Sequence, residues 1–157
     1  PVPRVGTVWP VGARPTVVRG WNPPATPYGP GHRGVDLAAS SGSPVRAVAP
    51  GTVVFAGRVA GQGVVSVALD GTGSPALRTT YEPVRPTVER GDRVTAGQVV
   101  GVLETGAGHC TGPCLHWGLR RASTYLDPLS LLSPTLLRSG PSRLLPVIGV
   151  PELPQTD

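Results

Sequence analysis

An all-β fold, either an antiparallel β-sandwich or a partly open barrel, is predicted by three observations on this sequence. Apolar residues occur in short runs, without the recurring spacing of an amphipathic helix. Turn-forming residues are abundant, with 22 glycines and 20 prolines among 157 residues. The segment Asp70-Gly71-Thr72-Gly73-Ser74 between two apolar runs is a strong hairpin signal. Together these features favour short strands joined by turns over a helical bundle.

The first thirty-one residues (1–31) are predicted to be irregular. Their apolar stretches, Val8-Trp9 and Thr16-Val17-Val18, are interrupted by prolines, which are restricted to edge strands and loops because they lack a backbone N–H. We expect an edge strand and a long loop packed against the body of the domain.

A regular β pattern begins at residue 34. Short apolar segments then alternate with turns that contain glycine, and nothing between residues 32 and 120 has the pattern of a long helix. The predicted strands are 34–38, 44–48, 51–56, 64–69, 77–81, a segment around Val94, 99–103, and 115–119 as the last strand.

The C-terminal part is predicted to contribute little regular structure. Asp127-Pro128 and the leucines that follow suit a short helical turn that closes the domain. We predict a single domain over residues 1–132, with its core at 31–120, because a chain of 157 residues suffices for one hydrophobic core. Residues 133–157 are rich in proline and leucine, and we expect a tail that is wrapped on the surface or disordered.

Composition excludes two classes of function. The net charge is +5, but the arginines are scattered and aromatic residues make up 4% of the chain. A nucleic-acid-binding protein typically clusters its basic residues on one patch, so we expect no nucleic-acid partner. No run approaches the ~18 apolar residues of a membrane-spanning helix, so no span is expected within this chain. We expect a monomer.

The two cysteines, Cys110 and Cys114, flank Thr111-Gly112-Pro113. In an extended strand four residues span roughly 13 Å, which is too far for a disulfide, whereas a tight turn could bring the Cα atoms within about 7 Å. Gly-Pro supplies such a turn. We expect a disulfide and therefore an oxidising compartment, with two free thiols as the alternative.

Three side chains in two short segments have the donor types of an open zinc site. His32 and Asp36 lie at an even separation, so an extended segment would direct both to one face. His116 lies in a second strand-like segment. If the two strands are neighbours, two imidazoles and one carboxylate converge, and a fourth position is left for water. A hydrogen-bonded surface pair and a structural histidine are the alternatives.

Four segments, in this order, resemble the lysostaphin/LytM-type zinc endopeptidases, which cleave peptides of bacterial peptidoglycan. The resemblance covers about residues 15–132. It implies an antiparallel β core of the LytM type, a zinc ion held by His32, Asp36 and His116, peptidoglycan peptides as partners, and export to the cell wall or a periplasm-like space. The segments are Gly31-His32-Arg33-Gly34-Val35-Asp36-Leu37-Ala38, Gly42 to Val53, Val94 to Gly101, and Thr111-Gly112-Pro113-Cys114-Leu115-His116-Trp117.

Two positions depart from the pattern of that family. Cys114 stands where the second motif usually begins with a histidine, and Pro83 stands where a further histidine usually follows the tyrosine. Neither a proline nor a disulfide-bonded cysteine can transfer a proton. Loss of general-base assistance typically costs about 10²–10⁴ in rate.

Three explanations of these departures compete. In the first, the protein is a peptidase in which His109 or Glu82 replaces the lost groups. In the second, it is a non-catalytic relative that keeps the zinc site and binds peptidoglycan or regulates another cell-wall hydrolase. In the third, Cys114 is a thiolate and a fourth ligand, which would make the zinc site closed and structural.

Three further residues are predicted substrate contacts. The resemblance places Tyr81 near the groove, where its hydroxyl could bind substrate, although a half-buried tyrosine is equally ordinary. Trp117 could line the groove or belong to the core. Arg33 could contact a peptide carboxylate, or it could be solvated. Gly34 and Gly118 are expected to allow close backbone approach.

Overall fold

The structure, a computed structural model, describes residues 1–13, 15–23, 31–105 and 110–138. Its regular secondary structure is almost entirely β-strand, as predicted. The strands are β1 (Val17–Arg19), β2 (Val35–Ala38), β3 (Pro44–Arg46), β4 (Gly51–Val59), β5 (Gln62–Leu69), β6 (Leu77–Glu82), β7 (Val84–Pro86), β8 (Arg93–Val94), β9 (Val99–Leu103), β10 (Cys114–Arg121) and β11 (Thr124–Leu126). A 3-10 turn (Pro128–Leu131) and the short helix α1 (Pro134–Arg138) follow.

The strands form two antiparallel sheets, neither of which closes into a barrel. The larger sheet has the order β1-β2-β10-β6-β5-β4-β8, and β11 pairs with the end of β10. The smaller sheet has the order β3-β9-β7. This arrangement confirms the predicted antiparallel fold of the LytM type, and it makes β2, β10 and β6 neighbours.

The hydrophobic core forms on one side of the larger sheet. Along β6 buried and half-buried residues alternate strictly, because successive side chains of a strand point to opposite faces. Branched aliphatic and aromatic side chains of both sheets fill this core. The core includes Val45 of β3, Val84 of β7, Val100 of β9, Tyr81 of β6 and Trp117 of β10.

The predicted hairpin joins β5 to β6. Its buried residue Thr72 donates a hydrogen bond from its hydroxyl to the carbonyl of Leu69 (2.7 Å) and accepts one from the N–H of Leu77 (2.9 Å). The turn therefore satisfies backbone groups of both strands with one side chain. This fixes the register in which β6 continues towards β10.

The irregular N-terminal segment packs on the body, as expected. Trp9 and Val11 are buried, and the Trp9 ring meets the Trp117 ring edge-on at a centroid distance of 6.4 Å. β1 is the edge strand, paired with β2. This packing places the backbone that follows β1 close to the N-terminal end of β2.

The predicted boundaries hold for most elements, and three features differ. β4 and β5 extend towards each other to Val59 and Gln62, so they form a longer hairpin than expected. β7 and β11 were missed because each has three residues and little apolar pattern. β10 is therefore not the last strand. The predicted helical turn is present at Pro128–Leu131, where the Asp127 side chain accepts a hydrogen bond from the Leu129 N–H.

Candidate metal centre and groove

Asp36 and His116 face each other across two paired strands. β2 and β10 run antiparallel, and His116 stands directly opposite Asp36 in their register. His32 lies just before β2, where it forms an isolated bridge with Asn22. One ligand atom from each of His32, Asp36 and His116 lies within 4.8 Å of the others. The fold therefore brings the predicted triplet together.

The Asp36 carboxylate is the centre of this cluster. It is fully buried, and its Oδ1 lies 3.2 Å from His32 Nε2 and 2.9 Å from His116 Nδ1. Removing an ionised carboxylate from water is costly unless cationic groups or a metal compensate its charge. Two imidazoles directed at one buried carboxylate oxygen are an arrangement that a divalent cation would stabilise.

A backbone carbonyl orients the His32 ring through the nitrogen that does not face Asp36. Its Nδ1 lies 2.9 Å from the carbonyl oxygen of Gly20, which can only accept, so Nδ1 carries the proton. In the neutral ring the lone pair is then on Nε2, the nitrogen that faces Asp36. Such backing of a histidine by a carbonyl is usual for metal ligands. The sequence pattern did not reveal this contribution because it comes from the backbone.

Gly34 provides the space that the His116 ring occupies. A Cβ atom at Gly34 would lie 2.5 Å from the Trp117 carbonyl oxygen and 2.7 Å from His116 Nε2. Any side chain there would displace either the strand or the imidazole. The expectation that Gly34 serves close approach is thus confirmed.

The residues present fit a zinc ion. Two imidazole nitrogens and one carboxylate oxygen are the ligand set of open, three-ligand zinc sites. All three donors belong to segments that the sheet fixes relative to one another, and His32 and Asp36 are buried.

Cys110 and Cys114 form a disulfide, with their Cα atoms 6.3 Å apart. This confirms the predicted bond and overturns the explanation in which Cys114 is a thiolate ligand, because both sulfur atoms are already bonded. The disulfide nevertheless borders the metal centre, since both sulfurs lie within 4.8 Å of a carboxylate oxygen of Asp36.

A groove of about 450 Å³ opens beside His116 on the face of the larger sheet that points away from the core. Glu82 stands opposite His116 in the register of β6 and β10, so both side chains point into this groove. The two Cβ atoms of such a pair lie roughly 4.5–5.5 Å apart. Further groove residues include Arg33, Phe55, Arg78, Arg120 and Tyr125.

Pro83 does not line this groove. Pro83 lines a separate cleft of about 580 Å³, together with Arg58 and Glu104, which form an ion pair (3.1 Å). Glu82 is therefore the acidic residue of this segment that reaches the groove. His109 lies outside the described residues, and its role stays a prediction.

Two predicted substrate contacts are wrong. Tyr81 and Trp117 are both completely buried, so neither side chain reaches the groove. The Tyr81 hydroxyl accepts a hydrogen bond from the Val48 N–H (3.1 Å), and the Trp117 indole N–H donates to the Thr79 hydroxyl (2.7 Å). Both residues occupy core positions because they alternate with Glu82 and His116 along their strands.

Burial also affects the ionisation of Tyr81. Desolvation raises the pKa of its phenol to about 12, against a smaller opposing effect of the hydrogen bond from Val48. Arg33, in contrast, remains at the groove as predicted, and its guanidinium carbon lies 5.6 Å from the centroid of the Tyr125 ring. That distance is typical of a cation–π contact.

Arg78 and Arg120 are groove residues that were not singled out from the sequence. Both are half-buried, and they stand opposite each other in the β6–β10 register. The signal was present in the alternation of β6, where Arg78, Thr80 and Glu82 share one face. It required knowing that β10 is the neighbour of β6.

Comparison with known proteins supports the predicted family. The sequence model of peptidase family M23 matches residues 30–128, which include all three ligand candidates. An uncharacterized protein of Mycobacterium tuberculosis is 45% identical over 138 residues, which cover 85% of this chain and 54% of that protein. The chain thus spans about half the length of this relative.

Two named peptidases are also similar. The DD-carboxypeptidase/endopeptidase Mpg of Neisseria meningitidis is 34% identical over 104 residues, covering 66% of this chain and 23% of that protein. The catalytic domain of the antimicrobial peptidase lysostaphin from Staphylococcus simulans superposes with a TM-score of 0.62 at 27% identity. That superposition covers 78% of this chain and 92% of the lysostaphin domain.

Proposed function

The chain belongs to peptidase family M23, and on this premise we propose that it is a zinc-dependent cell-wall peptidase domain that cleaves amide bonds in peptidoglycan peptides. The observation that carries the proposal is the position of Glu82, directly opposite His116 and in the groove that His116 of the ligand cluster lines. Export to the cell wall or periplasm-like space belongs to the proposal. It agrees with the disulfide. No helix among the described residues is long and apolar enough to cross a membrane.

His32, Asp36 and His116 would hold the zinc ion, through Nε2, a carboxylate oxygen and Nδ1 respectively. When bound, zinc lowers the pKa of a coordinated water to about 7 and polarises a substrate carbonyl. Asp36 compensates the charge, and Gly20 keeps the His32 ring aligned through its carbonyl. His116 forms the border between the cluster and the groove, so a substrate amide enters from that side.

Glu82 supplies the proton transfer that the missing histidines would otherwise provide. Its carboxylate accepts a proton from the attacking water, holds it on one oxygen, and delivers it to the nitrogen of the leaving amine. A glutamate has this role in other zinc peptidases, beside a ligand set of histidines. Because only one such group reaches the groove among the described residues, we expect a slower reaction than with a full set of helpers.

A second function is favoured by a different observation. Cys114 is locked in a disulfide and Pro83 faces another cleft, so both usual helper positions are chemically inert. These features support a non-catalytic module that keeps the zinc site and binds peptidoglycan peptides, or that regulates another cell-wall hydrolase. Such a module would bind zinc and peptide without turnover.

One experiment separates the two functions. The purified chain is loaded with zinc, its metal content is measured by mass spectrometry, and release of new amino groups from purified peptidoglycan is followed. The variants are His116→Ala, Glu82→Gln and His109→Ala, with Glu89→Gln as a matched control at an exposed acid away from the groove. We expect one zinc per chain in the parent, loss of zinc in His116→Ala, and about 10²–10⁴-fold slower cleavage in Glu82→Gln with zinc retained.

The alternative outcomes are distinct. Stoichiometric zinc and measurable peptide binding without any cleavage by the parent would establish the non-catalytic module. Cleavage that is lost in His109→Ala and intact in Glu82→Gln would transfer the proton-transfer role to His109. A parent that binds no zinc would overturn both functions.

A further inference from the structure

Two arginines face each other in the groove. Arg78 of β6 and Arg120 of β10 are direct partners in the antiparallel register, and both line the groove beside His116. Directly opposite residues of neighbouring strands have Cβ atoms roughly 4.5–5.5 Å apart, and like charges at such positions destabilise the sheet. The fold therefore holds two positive charges together at a cost in stability.

No carboxylate offsets these charges within the described part of the chain. The ion pairs found there join Asp36 to its two histidines, Arg58 to Glu104, and Arg93 to Asp70. Glu82 is on the same face as Arg78 but lies four residues further along β6, at a strand distance of roughly 13 Å. The arginine pair is thus a local excess of positive charge.

A third arginine lies in the same groove. Arg33 is in contact with the ring of Tyr125, the residue that pairs with Arg120. Because Arg78 and Arg120 are half-buried in a concave surface, their charges are screened less than those of fully exposed arginines.

From this charge distribution we infer that the groove selects peptides that carry a carboxylate, and that Arg78 and Arg120 are the specificity-determining residues. The inference rests on the proposed function, since it names the substrate class of that site. A guanidinium can bind a carboxylate through two parallel N–H donors, and two guanidiniums can share its two oxygens.

The geometry also gives the place of the carboxylate on the peptide. Arg120 follows His116 by four residues on β10, so the arginine pair lies roughly 13 Å from the ligand cluster along the strand. An extended peptide in the groove covers that distance with about four residues. The selected carboxylate therefore belongs to a residue distant from the reacting amide, and it contributes to binding without taking part in the chemistry.

The test is binding of two matched peptidoglycan stem peptides, labelled with the same fluorophore, to the zinc-loaded chain. One peptide has free side-chain and α-carboxyl groups, and in the other these groups are carboxamides. We expect the parent to bind the free acid about tenfold more tightly at low salt, and the preference to shrink as salt is added. The Arg78→Gln/Arg120→Gln variant should bind the two peptides with about equal affinity. The Arg78→Lys/Arg120→Lys variant should keep part of the preference for the free acid.

A matched control removes the same amount of charge elsewhere. Arg85→Gln/Arg90→Gln lowers the net charge by two at exposed arginines outside the groove, and we expect it to leave the preference unchanged. Equal binding of the two peptides by the parent would overturn the inference while leaving the proposed function intact. Selective binding without cleavage would support the inference and contradict the proposed hydrolysis. Equal losses in Arg85→Gln/Arg90→Gln and in the groove variant would show that only net charge matters, which also overturns the inference.

Discussion

The two faces of the β6–β10 strand pair differ sharply in what they can do. The inner face carries Tyr81 and Trp117, which are completely buried and whose polar atoms are hydrogen-bonded inside the core. The outer face carries His116 and Glu82 at one end and an arginine pair at the other. Adjacent residues of the same strands thus serve either packing or chemistry.

This difference separates residues that stabilise the domain from residues that line its groove. The inner face determines stability, and neither Tyr81 nor Trp117 lines the groove. The outer face is supported from beneath by that core, so its side chains can change without unfolding the sheet.

The largest expected effect on stability comes from removing a large side chain from the inner face. Trp117→Ala removes a buried ring that packs against Trp9 and donates to Thr79, and we expect it to lower the free energy of unfolding by about 3–5 kcal/mol. Thr80→Ala, on the outer face, should lower it by about 1 kcal/mol or less, the contribution of one hydrogen bond with Ser66. Urea unfolding monitored by circular dichroism measures both, and similar losses would contradict the division into faces.

Alkaline pH probes the inner face through Tyr81. Its pKa is about 12 in the folded protein against 10.0 for an ordinary phenol, so the folded state holds its proton when the unfolded chain has lost it. This contribution is complete below about pH 10 and is lost as the pH rises through 12, by a few kcal/mol in all.

Tyr81→Phe tests this dependence. The variant should lose about 1–3 kcal/mol at neutral pH because the Val48 N–H loses its acceptor. Between about pH 9 and pH 12 its free energy of unfolding should fall less than that of the parent. Urea unfolding across that range provides the measurement, and parallel curves for the two proteins would contradict the role assigned to the phenol.

The same two faces show how much the sequence could predict. The strands, the antiparallel fold and the convergence of His32, Asp36 and His116 followed from short apolar runs, turns and a family resemblance. Tyr81 and Trp117 were assigned to the groove because position in a motif does not say which face a side chain takes. Counting alternation from the buried Leu77 places Thr79 and Tyr81 inside.

Other features of the site depend on tertiary pairing. The Gly20 carbonyl that orients His32 is a backbone group, which no residue pattern records. The arginine pair exists only because Arg78 and Arg120 meet across two strands separated by some forty residues of sequence. A single sequence predicts each strand but not its neighbour, so these contributions could be found only in the folded chain.

Removing the disulfide at the start of β10 should have an effect of intermediate size on stability. Cys110→Ala/Cys114→Ala removes a cross-link that closes a short loop, and we expect a loss of about 2 kcal/mol in the free energy of unfolding. Zinc stoichiometry should be retained, because the ligand cluster belongs to other side chains. Metal analysis and urea unfolding test both statements, with the parent treated with a dithiol reductant as the control. Loss of zinc in the variant would show that the disulfide positions Asp36.

The smallest expected effect concerns the arginine pair and has the opposite sign. If the two guanidiniums repel each other, Arg78→Gln or Arg120→Gln alone should raise the free energy of unfolding, by about 0.2–1 kcal/mol at low salt. The second substitution should then add almost nothing, because the first has already removed the repulsion. A double-mutant cycle measures this non-additivity, and added salt should reduce it. Strictly additive losses of stability would mean that the arginines support the sheet, and the outer face would then resemble the inner one.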